Sequence, residues 1–426
     1  MDRKREPAVA GGRAEAADAP PVPSGGSRLL YSIDRVHDGT THRVKDREKA
    51  ALYHAVCAGV PSTRKELAAR LRLRPSTVSD AAQELIQDGL VAEYQAYEEG
   101  RSGRPRHILT PLTNRFVAIS LYVDSRGLVA VLLNLCGDVL AEESRDVPAQ
   151  ADNGELAAWI LDLLTVLPPR VPRGSTLVGA SLSLVGAVNP RACVWVGAAR
   201  WPRLKDLDLS EVQSRVRFPL ILLRANEVEL DYHLACTAGA EAESAIHLHW
   251  GFGIGSAVSV QGRVFTSTLG RFGEIGHMRM GANRDAPCLC GARGCLETSA
   301  ALWALLPALR RHMGDLPEGE KELTPYLRDP RLCDLPEVKR ALEAVCEALQ
   351  FLYVVFYPDI VLLSGPFTEN HSMLARLIEG FRSSLPAPAR KSVTISVCAS
   401  GMPGCRHGAT DGLFRDTLRN TLLVHA

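Results

Sequence analysis

Residues 273–297 read GEIGHMRMGANRDAPCLCGARGCLE, in which one histidine is followed by three closely spaced cysteines. The four side chains are His277, Cys288, Cys290 and Cys295. One imidazole and three thiolates form a ligand set that zinc binds tetrahedrally, and four protein ligands leave no position for a reactive water. The alternative is a group of buried cysteines without a ligand. We therefore predict a structural zinc ion that braces this part of the chain.

Two glutamates flank the predicted zinc site. Glu274 lies three residues before the histidine, and Glu297 lies two residues after the last cysteine. Folding around a metal ion can bring both carboxylates to one wall of a cleft, where they would accept hydrogen bonds from sugar hydroxyls. For a single glutamate, a solvated surface position is the ordinary alternative. Their coincidence with the metal ligands favours a ligand-binding role.

The composition limits the class of protein. A chain of 426 residues, 46% hydrophobic and 23% charged, is long enough for two or three globular domains. No stretch reaches twenty apolar residues without charge, so we expect no transmembrane helix and no membrane partner. The charged N-terminus lacks the apolar core of a secretory signal, and eleven cysteines without framework spacing fit a reducing cytoplasm. Because the net charge is only +1, any DNA contact must come from a local basic patch.

The N-terminal part of the chain predicts a tail followed by an α+β winged helix-turn-helix domain. Residues 1–28 are rich in Ala, Gly, Pro and charge without a hydrophobic period, which is typical of a disordered tail. Within residues 44–112, apolar spacing predicts three helices. A capping box at Thr63 and Glu66 begins the second helix, and Pro75 suits the first turn of the third. A short hairpin is expected to follow.

The third helix is the candidate for the DNA major groove. One face carries apolar residues at helical spacing, while the other presents short polar side chains. In the hairpin, Gly103-Arg104-Pro105 holds an arginine on an extended backbone that suits a narrow minor groove. The alternative is an ordinary three-helix subdomain with a charged surface, because acidic residues balance this region. The predicted DNA-contacting residues are Arg74, Ser76, Thr77, Ser79, Gln83, Arg101, Arg104 and Arg106.

From residue 115 to residue 426, short apolar runs alternate with helical segments. This alternation predicts an α/β body with mixed sheets, in two sheet-plus-helix halves with a cleft between them. The predicted strands are Val117–Leu121, Leu128–Leu135, Leu177–Leu184, Leu220–Leu223, Ala245–Leu248 and Ile360–Leu363, and the predicted helices include Leu156–Leu167 and Val338–Tyr357.

The residues from Gly273 to Glu297 resemble the signature of the ROK family, which groups repressors, open reading frames and sugar kinases. The resemblance covers residues 115–426 in outline. The winged helix in front resembles the repressor branch, which includes xylose and N-acetylglucosamine repressors. The resemblance implies an actin-like, hexokinase-like fold of two α/β lobes. It also implies that Glu274, His277 and Glu297 contact a sugar, while His277 also holds zinc.

The kinase branch needs a phosphate loop and a general base, and both depart here from the family pattern. The loop reads Asp-x-Gly-Gly-Thr in the kinases, whereas residues 121–126 contain no glycine pair. Counted without gaps, Arg224-Ala225 stands at the Asn-Asp pair that supplies the base, and a two-residue slip offers Asn226-Glu227. Neither register supplies an aspartate. We therefore predict that kinase activity is lost, and Asn226 is a candidate sugar contact.

These features predict a cytoplasmic, DNA-binding transcriptional regulator, a repressor of carbohydrate-related genes and not an enzyme. It would bind a double-stranded DNA operator as a homodimer or homotetramer and respond to a sugar or sugar derivative. The alternative is a ROK sugar kinase with a fused DNA-binding domain, in which Glu227 replaces the aspartate as base. A third possibility is a DNA-binding protein whose ROK lobe serves only for dimerisation.

Overall fold

The computed structural model describes residues 43–96, 105–237, 244–267, 270–281, 283–398 and 403–423. These residues form two compact units, which meet in the sequence between Leu112 and Thr113. The predicted tail at residues 1–28 lies outside the described residues. The sequence predicted a DNA-binding domain at residues 44–112 and an effector-binding domain at residues 115–426. These functions stay predictions. Within the described ranges, no helix is both long and apolar enough to cross a membrane.

The first unit consists of three helices and a three-stranded antiparallel sheet of order β1-β3-β2. Its elements are α1 (Val44–Cys57), β1 (Ser62–Thr63), α2 (Arg64–Leu71), α3 (Pro75–Gln87), β2 (Val91–Ala96) and β3 (Arg106–Pro111). At the start of α2, the side chains of Thr63 and Glu66 each accept a hydrogen bond from the other residue's backbone N–H, as the sequence predicted. Pro75 occupies the first turn of α3, where a missing N–H costs little.

The apolar face of α3 completes the core of this unit. Val78, Ala81, Ala82 and Leu85 are buried at helical spacing and pack against α1 and α2. Arg72 ends α2 with a left-handed backbone φ of 55°, which lets the chain turn directly into α3. The polar face of α3 is thereby left on the outside of the unit.

The second unit contains two large sheets, a small sheet and the remaining helices of the described chain. The first large sheet consists of β4 (Phe116–Asp124), β5 (Gly127–Asn134), β6 (Val139–Asp146), β7 (Thr176–Leu184) and β11 (Leu220–Arg224). The small sheet consists of β8 (Ala187–Asn189), β9 (Val194–Gly197) and β10 (Leu207–Asp208). The second large sheet consists of β12 (Ser244–Trp250), β13 (Ile254–Val260), β14 (Arg263–Val264), β15 (Ile360–Ser364) and β16 (Thr394–Val397). The helices are α4 (Asn153–Val166), α5 (Ser210–Arg215), α6 (Ala225–Thr237), α7 (Glu297–Ala300), α8 (Leu302–Met313), α9 (Glu320–Leu327), α10 (Pro336–Phe356), α11 (His371–Ser384), α12 (Ala387–Ser392), α13 (Pro403–His407) and α14 (Asp411–Leu422).

The two large sheets share one topology. Their strand orders are β6-β5-β4-β7-β11 and β14-β13-β12-β15-β16. In each sheet the first three strands form an antiparallel meander, and the fourth and fifth strands add in parallel beside the first. This duplication gives the two α/β lobes that the sequence predicted. We call them the first lobe and the second lobe, after the sheet that each contains.

Helices supply the apolar cover of both sheets. The helix α4 packs on the first sheet and begins at Asn153, earlier than the apolar pattern indicated, because Asp152 and Glu155 form a capping box. The long helix α10 packs in the core of the second lobe along most of its length. The central strands β4 and β5 are buried over nearly their whole length, as expected of strands that are covered on both faces.

Candidate functional site

The four candidate metal ligands converge in space. The Nδ1 atom of His277 lies 3.7 Å from the Sγ atom of Cys288, and the Sγ atoms of Cys290 and Cys295 lie 3.8 Å apart. All four ligand atoms lie within 4.8 Å of one another. A tetrahedral zinc ion with Zn–S bonds of about 2.3 Å holds its sulfur ligands about 3.8 Å apart. The donor set and its spacing therefore fit zinc, and these residues could hold it.

Tight local turns bring the ligands together. His277 ends a short 3-10 turn that begins at Ile275, and an isolated antiparallel bridge pairs Arg279 with Cys295. Gly294 has a φ of 71° and lies against the backbone of Arg284, so any side chain at this position would collide with main-chain atoms. The glycine is therefore required for the last cysteine to reach the cluster.

Burial of the cluster changes the protonation of two of its thiols. Burial raises the pKa of the thiols of Cys288 and Cys295, which favours their neutral form. A divalent ion would supply the positive charge that stabilises the thiolates. On the other side of the imidazole, the Nε2 atom of His277 lies 3.8 Å from the Oε2 atom of Glu274. This carboxylate is placed to hold the ring with its Nδ1 atom towards the sulfurs.

Glu297 lies in the wall of the cleft with its oxygens already engaged. The residue is only 3% exposed. Its Oε1 atom accepts a hydrogen bond from the backbone N–H of Ile254 at 2.8 Å, and its Oε2 atom accepts one from the indole N–H of Trp303 at 3.1 Å. Burial raises the pKa of the Glu297 carboxyl, and the nearby His277 opposes that shift. A sugar hydroxyl could use only the remaining lone pairs of this predicted contact.

Glu274 is ion-paired with an arginine that the sequence had not assigned to the site. The Nη2 atom of Arg224 lies 2.6 Å from the Oε1 atom of Glu274, and its Nη1 atom lies 3.0 Å from the Oε1 atom of Glu227. Arg224 also donates hydrogen bonds to the carbonyl groups of Gly186 and Phe272. The side chain is 2% exposed, so its charge is compensated inside the protein. The sequence did offer one indication that Arg224 belongs to the site: the ungapped register puts it where the kinases carry asparagine.

The start of α6 carries the residues that the two sequence registers set against the kinase general base. Ala225 is buried and offers no side chain that could accept a proton. The side-chain amide of Asn226 lies against Gly255, and the backbone carbonyl oxygen of Asn226 lies 3.2 Å from the Nδ1 atom of His247. Glu227, which the kinase alternative would need, is buried in the ion pair described above, and burial raises its pKa. Among the described residues, it does not line the cleft.

A cleft of about 1010 Å³ contains these predicted sugar contacts. Along the turn at residues 251–255, the side chains of Glu320, Glu297 and Asn226 lie against the first, third and fifth residues. We call the part of the cleft beside Glu320 the Glu320 end and the part beside Asn226 the Asn226 end. Gly273 lies against the residue that follows the turn, which places Glu274 at the Asn226 end.

The loop between β4 and β5 lacks the form of a phosphate cradle. The pairing of β4 with β5 continues to Asp124, and Ser125 has a φ of 54°, so the connection is a tight two-residue turn. The backbone N–H of Lys321 donates to the Oγ atom of Ser125 at 3.3 Å, and the Nη1 atom of Arg126 lies 2.6 Å from the Oε2 atom of Glu318. This turn therefore binds the second lobe through its side chains.

A chain of buried polar groups that runs from Asn226 to Glu320 was missed by sequence reasoning. The Nε2 atom of His247 lies 2.7 Å from the Oγ atom of Ser364, and the Nδ1 atom of His249 lies 3.0 Å from the same hydroxyl. The Nε2 atom of His249 lies 3.8 Å from the Oε1 atom of Glu320, whose carboxylate is ion-paired with Arg200. Burial lowers the pKa of His247 to about 4 and that of His249 to about 3, so both rings are neutral at pH 7. The sequence offered one indication of these buried polar groups, which is that two histidines alternate with apolar residues in the strand β12.

In the first unit, the predicted DNA-contacting face of α3 is open to solvent. Arg74, Ser76 and Gln83 are exposed, and Thr77 and Ser79 are half-buried. These side chains are free of the packing that buries the opposite face of the helix. The polar face is thus available to a partner of the first unit.

Ion pairs neutralise part of the charge around this face. Lys49 of α1 lies 2.7 Å from Asp88, so an acidic residue next to α3 is compensated. Arg106, a predicted DNA contact, is ion-paired with Glu66 at the start of α2. The other two predicted contacts of the hairpin, Arg101 and Arg104, lie outside the described residues.

Known proteins share this sequence pattern along most of the chain. A model of the ROK family matches residues 125–410. The DNA-binding transcriptional dual regulator NagC of Escherichia coli K12 is 24% identical over 378 residues, which cover 82% of this chain and 89% of the regulator. The xylose repressor of Bacillus subtilis 168 is 24% identical over 346 residues, which cover 78% of this chain and 85% of the repressor.

Solved structures share the fold. A ROK family transcriptional regulator that is a homologue of the E. coli MLC protein has a TM-score of 0.67 at 18% identity, covering 89% of this chain and 98% of its own. A ROK family glucokinase from Streptomyces griseus, solved with glucose and AMPPNP, has a TM-score of 0.57 at 17% identity, covering 69% and 98%. The predicted fold class is confirmed. Because the family model matches more than half of its residues, the chain belongs to the ROK family.

Proposed function

We propose that the protein is a DNA-binding transcriptional regulator that represses carbohydrate-related genes, responds to a sugar and has no kinase activity. One observation carries the proposal: the chain joins a three-helix unit with an open polar helix face to a ROK unit in which neither register of the general-base motif, Arg224-Ala225 or Asn226-Glu227, supplies an aspartate. Relatives named as repressors support the regulatory part of the proposal.

The first unit is proposed to act as a winged helix-turn-helix with α3 in the major groove. Arg74 precedes the N-terminus of α3, where the backbone N–H groups and the helix dipole also favour a phosphate. Arg101 and Arg104 would enter the minor groove, whereas the ion pair with Glu66 leaves Arg106 with a lesser role. The side chains proposed to approach base edges are Ser76, Thr77, Ser79 and Gln83.

The loss of phosphotransfer is inferred from three positions of the second unit. Ala225 cannot take a proton from a sugar hydroxyl. The tight turn at Ser125 presents side chains where a kinase presents backbone N–H groups to phosphate. The resemblance to the ROK kinases sets a small hydroxyl residue against Phe252, and the guanidinium of Arg200 stacks over the ring of Phe252 at 5.2 Å. None of these three positions supplies a group that would stabilise a transferring phosphoryl group.

Zinc is proposed as a structural brace of the Asn226 end of the cleft. The metal would link the segment that carries Glu274 to the segment that leads into Glu297, so the two carboxylates keep a fixed separation. When bound, the ion supplies only charge and rigidity, because all four of its positions are filled by protein. Sugar contacts are proposed for Glu274, His277, Glu297 and Asn226.

A homodimer or homotetramer is proposed as the DNA-binding form, because two-fold symmetric proteins bind palindromic operators. A sugar in the cleft would change the operator affinity through a shift between two arrangements of the assembly. Couplings of this kind are typically about 1–3 kcal/mol. We propose that the regulator is cytoplasmic and has no membrane partner.

The DNA-binding part is tested by selecting fragments of the source genome with the full-length protein. We expect a few fragments to bind preferentially, with an affinity that falls steeply with salt concentration. An Arg74→Ala variant serves as the matched control, and it should recover less DNA at the same protein concentration. Equal recovery of all fragments would contradict the proposal.

The kinase part is tested by ADP release over a panel of hexoses with ATP and Mg²⁺. We expect no release above that of a protein-free control. Sugar-dependent ADP release that disappears in a Glu227→Gln variant would establish the kinase alternative, because that residue is its only proposed base.

A further inference from the structure

The cleft has room beyond the predicted sugar contacts. Its volume of about 1010 Å³ lies at the upper end of the range, roughly 300–1,000 Å³, that holds ligands much larger than a single pyranose ring. The proposed contacts Glu274, Glu297 and Asn226 lie towards the Asn226 end. The Glu320 end is lined by a different set of polar side chains, and the proposed function gives them no role.

The hydrogen bonds of the two histidines at the Glu320 end have a defined direction. A carbonyl oxygen only accepts, so the Nδ1 atom of His247 carries the proton that it shares with Asn226. In the neutral ring Nε2 then accepts from the hydroxyl of Ser364, which leaves that oxygen to accept from the Nδ1–H of His249. The Nε2 atom of His249 is therefore an acceptor. It faces the carboxylate of Glu320, which is another acceptor, and both atoms lie against Gly251.

Two donors on neighbouring residues that line the cleft are buried without a partner. Within the described ranges, neither the Nη1 atom of Arg200 nor the indole Nε1 atom of Trp201 has a hydrogen-bond partner. Both residues line the cleft. Native proteins rarely leave buried donors unsatisfied, and each exception calls for an explanation such as an unseen ligand. Donors at Arg200 and Trp201, together with the acceptor at His249, describe a site that needs a ligand both to give and to accept hydrogen bonds.

The charges at the Glu320 end argue for a neutral ligand. Three of the basic side chains that line the cleft near Glu320 have an acidic partner, which reduces the positive charge that could attract a phosphate or a carboxylate. A hydroxyl group both donates and accepts, and a neutral polyol carries several of them. The aromatic ring of Phe252 adds an apolar surface of the kind that packs against a sugar ring. The ion pairs are Arg200–Glu320, Arg328–Glu369 and Lys321–Asp124.

We propose that the Glu320 end is a second sugar subsite and that the effector is a neutral disaccharide or longer oligosaccharide. One unit would bind at the Asn226 end, and the next would hydrogen-bond to Arg200, Trp201 and His249 beyond the turn at residues 251–255. This inference rests on the proposed sugar response and adds to it the size and charge class of the ligand.

The test uses the full-length, zinc-loaded protein and matched pairs of sugars. Calorimetric titration compares xylose with xylobiose, glucose with cellobiose and with maltose, and N-acetylglucosamine with N,N′-diacetylchitobiose. We expect one disaccharide to bind at least tenfold more tightly than its own monosaccharide. His249→Phe and Trp201→Phe, which keep an aromatic ring, should each weaken that disaccharide about tenfold by removing one hydrogen-bonding group. Monosaccharide affinity should stay unchanged in both variants, which also shows that they are folded.

A Glu274→Gln variant separates the two subsites, because it should weaken the disaccharide and the monosaccharide together. Equal affinities within every pair, or an undiminished disaccharide affinity in both aromatic variants, would overturn the second subsite while leaving the regulator proposal intact. A protein that binds its operator but none of these sugars would overturn the proposed sugar response and the second subsite with it.

Discussion

Glu229 offers a quantitative test of how burial controls charge in the second unit. Its carboxyl lies on α6, is 1% exposed, and accepts a hydrogen bond from the backbone N–H of Gly404 at 2.9 Å. Burial raises the pKa of Glu229 from its ordinary value of 4.5 to about 7, while the amides of Gly404 and Cys405 oppose that shift. Glu229→Gln keeps the shape and one acceptor oxygen but cannot ionise. We predict that this change stabilises the protein more at pH 8 than at pH 5.

The magnitude follows from the two pKa values of Glu229. Between about pH 4.5 and pH 7 the folded protein holds a proton that the unfolded chain releases, so the free energy of unfolding falls as pH rises through this window. With these values, the native protein loses about 2–3 kcal/mol more than the variant between pH 5 and pH 8. Other buried groups titrate in both proteins and cancel in the difference.

Urea denaturation followed by tryptophan fluorescence measures this difference in the second unit, because all five tryptophans lie within it. Glu379→Gln, at an exposed position of α11, is the matched control and should show no pH-dependent gain. A gain that is the same at pH 5 and pH 8, or that is larger at pH 5, would refute the argument that burial keeps Glu229 protonated.

Three further predictions concern the metal, the buried arginine and the DNA-binding face. Cys290→Ser should lower the zinc content measured by elemental analysis from one ion per chain and lower the melting temperature, whereas Cys346→Ser, outside the cluster, should leave the zinc content unchanged. Arg224→Met leaves two carboxylates without their partner and should lower the free energy of unfolding, measured by urea denaturation, by about 3–5 kcal/mol. The loss should be larger at pH 8 than at pH 5, and an equal loss at both pH values would contradict this prediction. Arg74→Ala should weaken operator binding and make the salt dependence shallower by about one phosphate contact, without changing the melting temperature; an unchanged salt slope would remove Arg74 from the contacts.

The features that the sequence predicted well depend on residues close together in the chain. His277 and the three cysteines span fewer than twenty residues, so their spacing alone restricts how they can fold around one ion. The capping box at Thr63 and Glu66 is likewise a contact across three residues. The central strands β4 and β5 were visible because they are buried over nearly their whole length and carry continuous apolar runs.

The features that the sequence missed depend on contacts between distant residues. Arg224 and Glu274 are fifty positions apart, and nothing in the local pattern of either residue indicates an ion pair. Ser364 joins two histidines more than a hundred positions away from it. Glu297 was expected to be an open acceptor, but its oxygens hold Ile254 and Trp303, because the fold buries the residue that the zinc ligands lead into.

The most direct test of the central claim is the affinity of the full-length protein for its selected operator, measured by fluorescence anisotropy with and without saturating sugar. The account predicts that one neutral sugar changes the dissociation constant about 5- to 150-fold, the range typical of allosteric coupling, while no ADP is released from ATP under the same conditions. Preferential operator binding that no sugar alters, or turnover of ATP with that sugar, would contradict it.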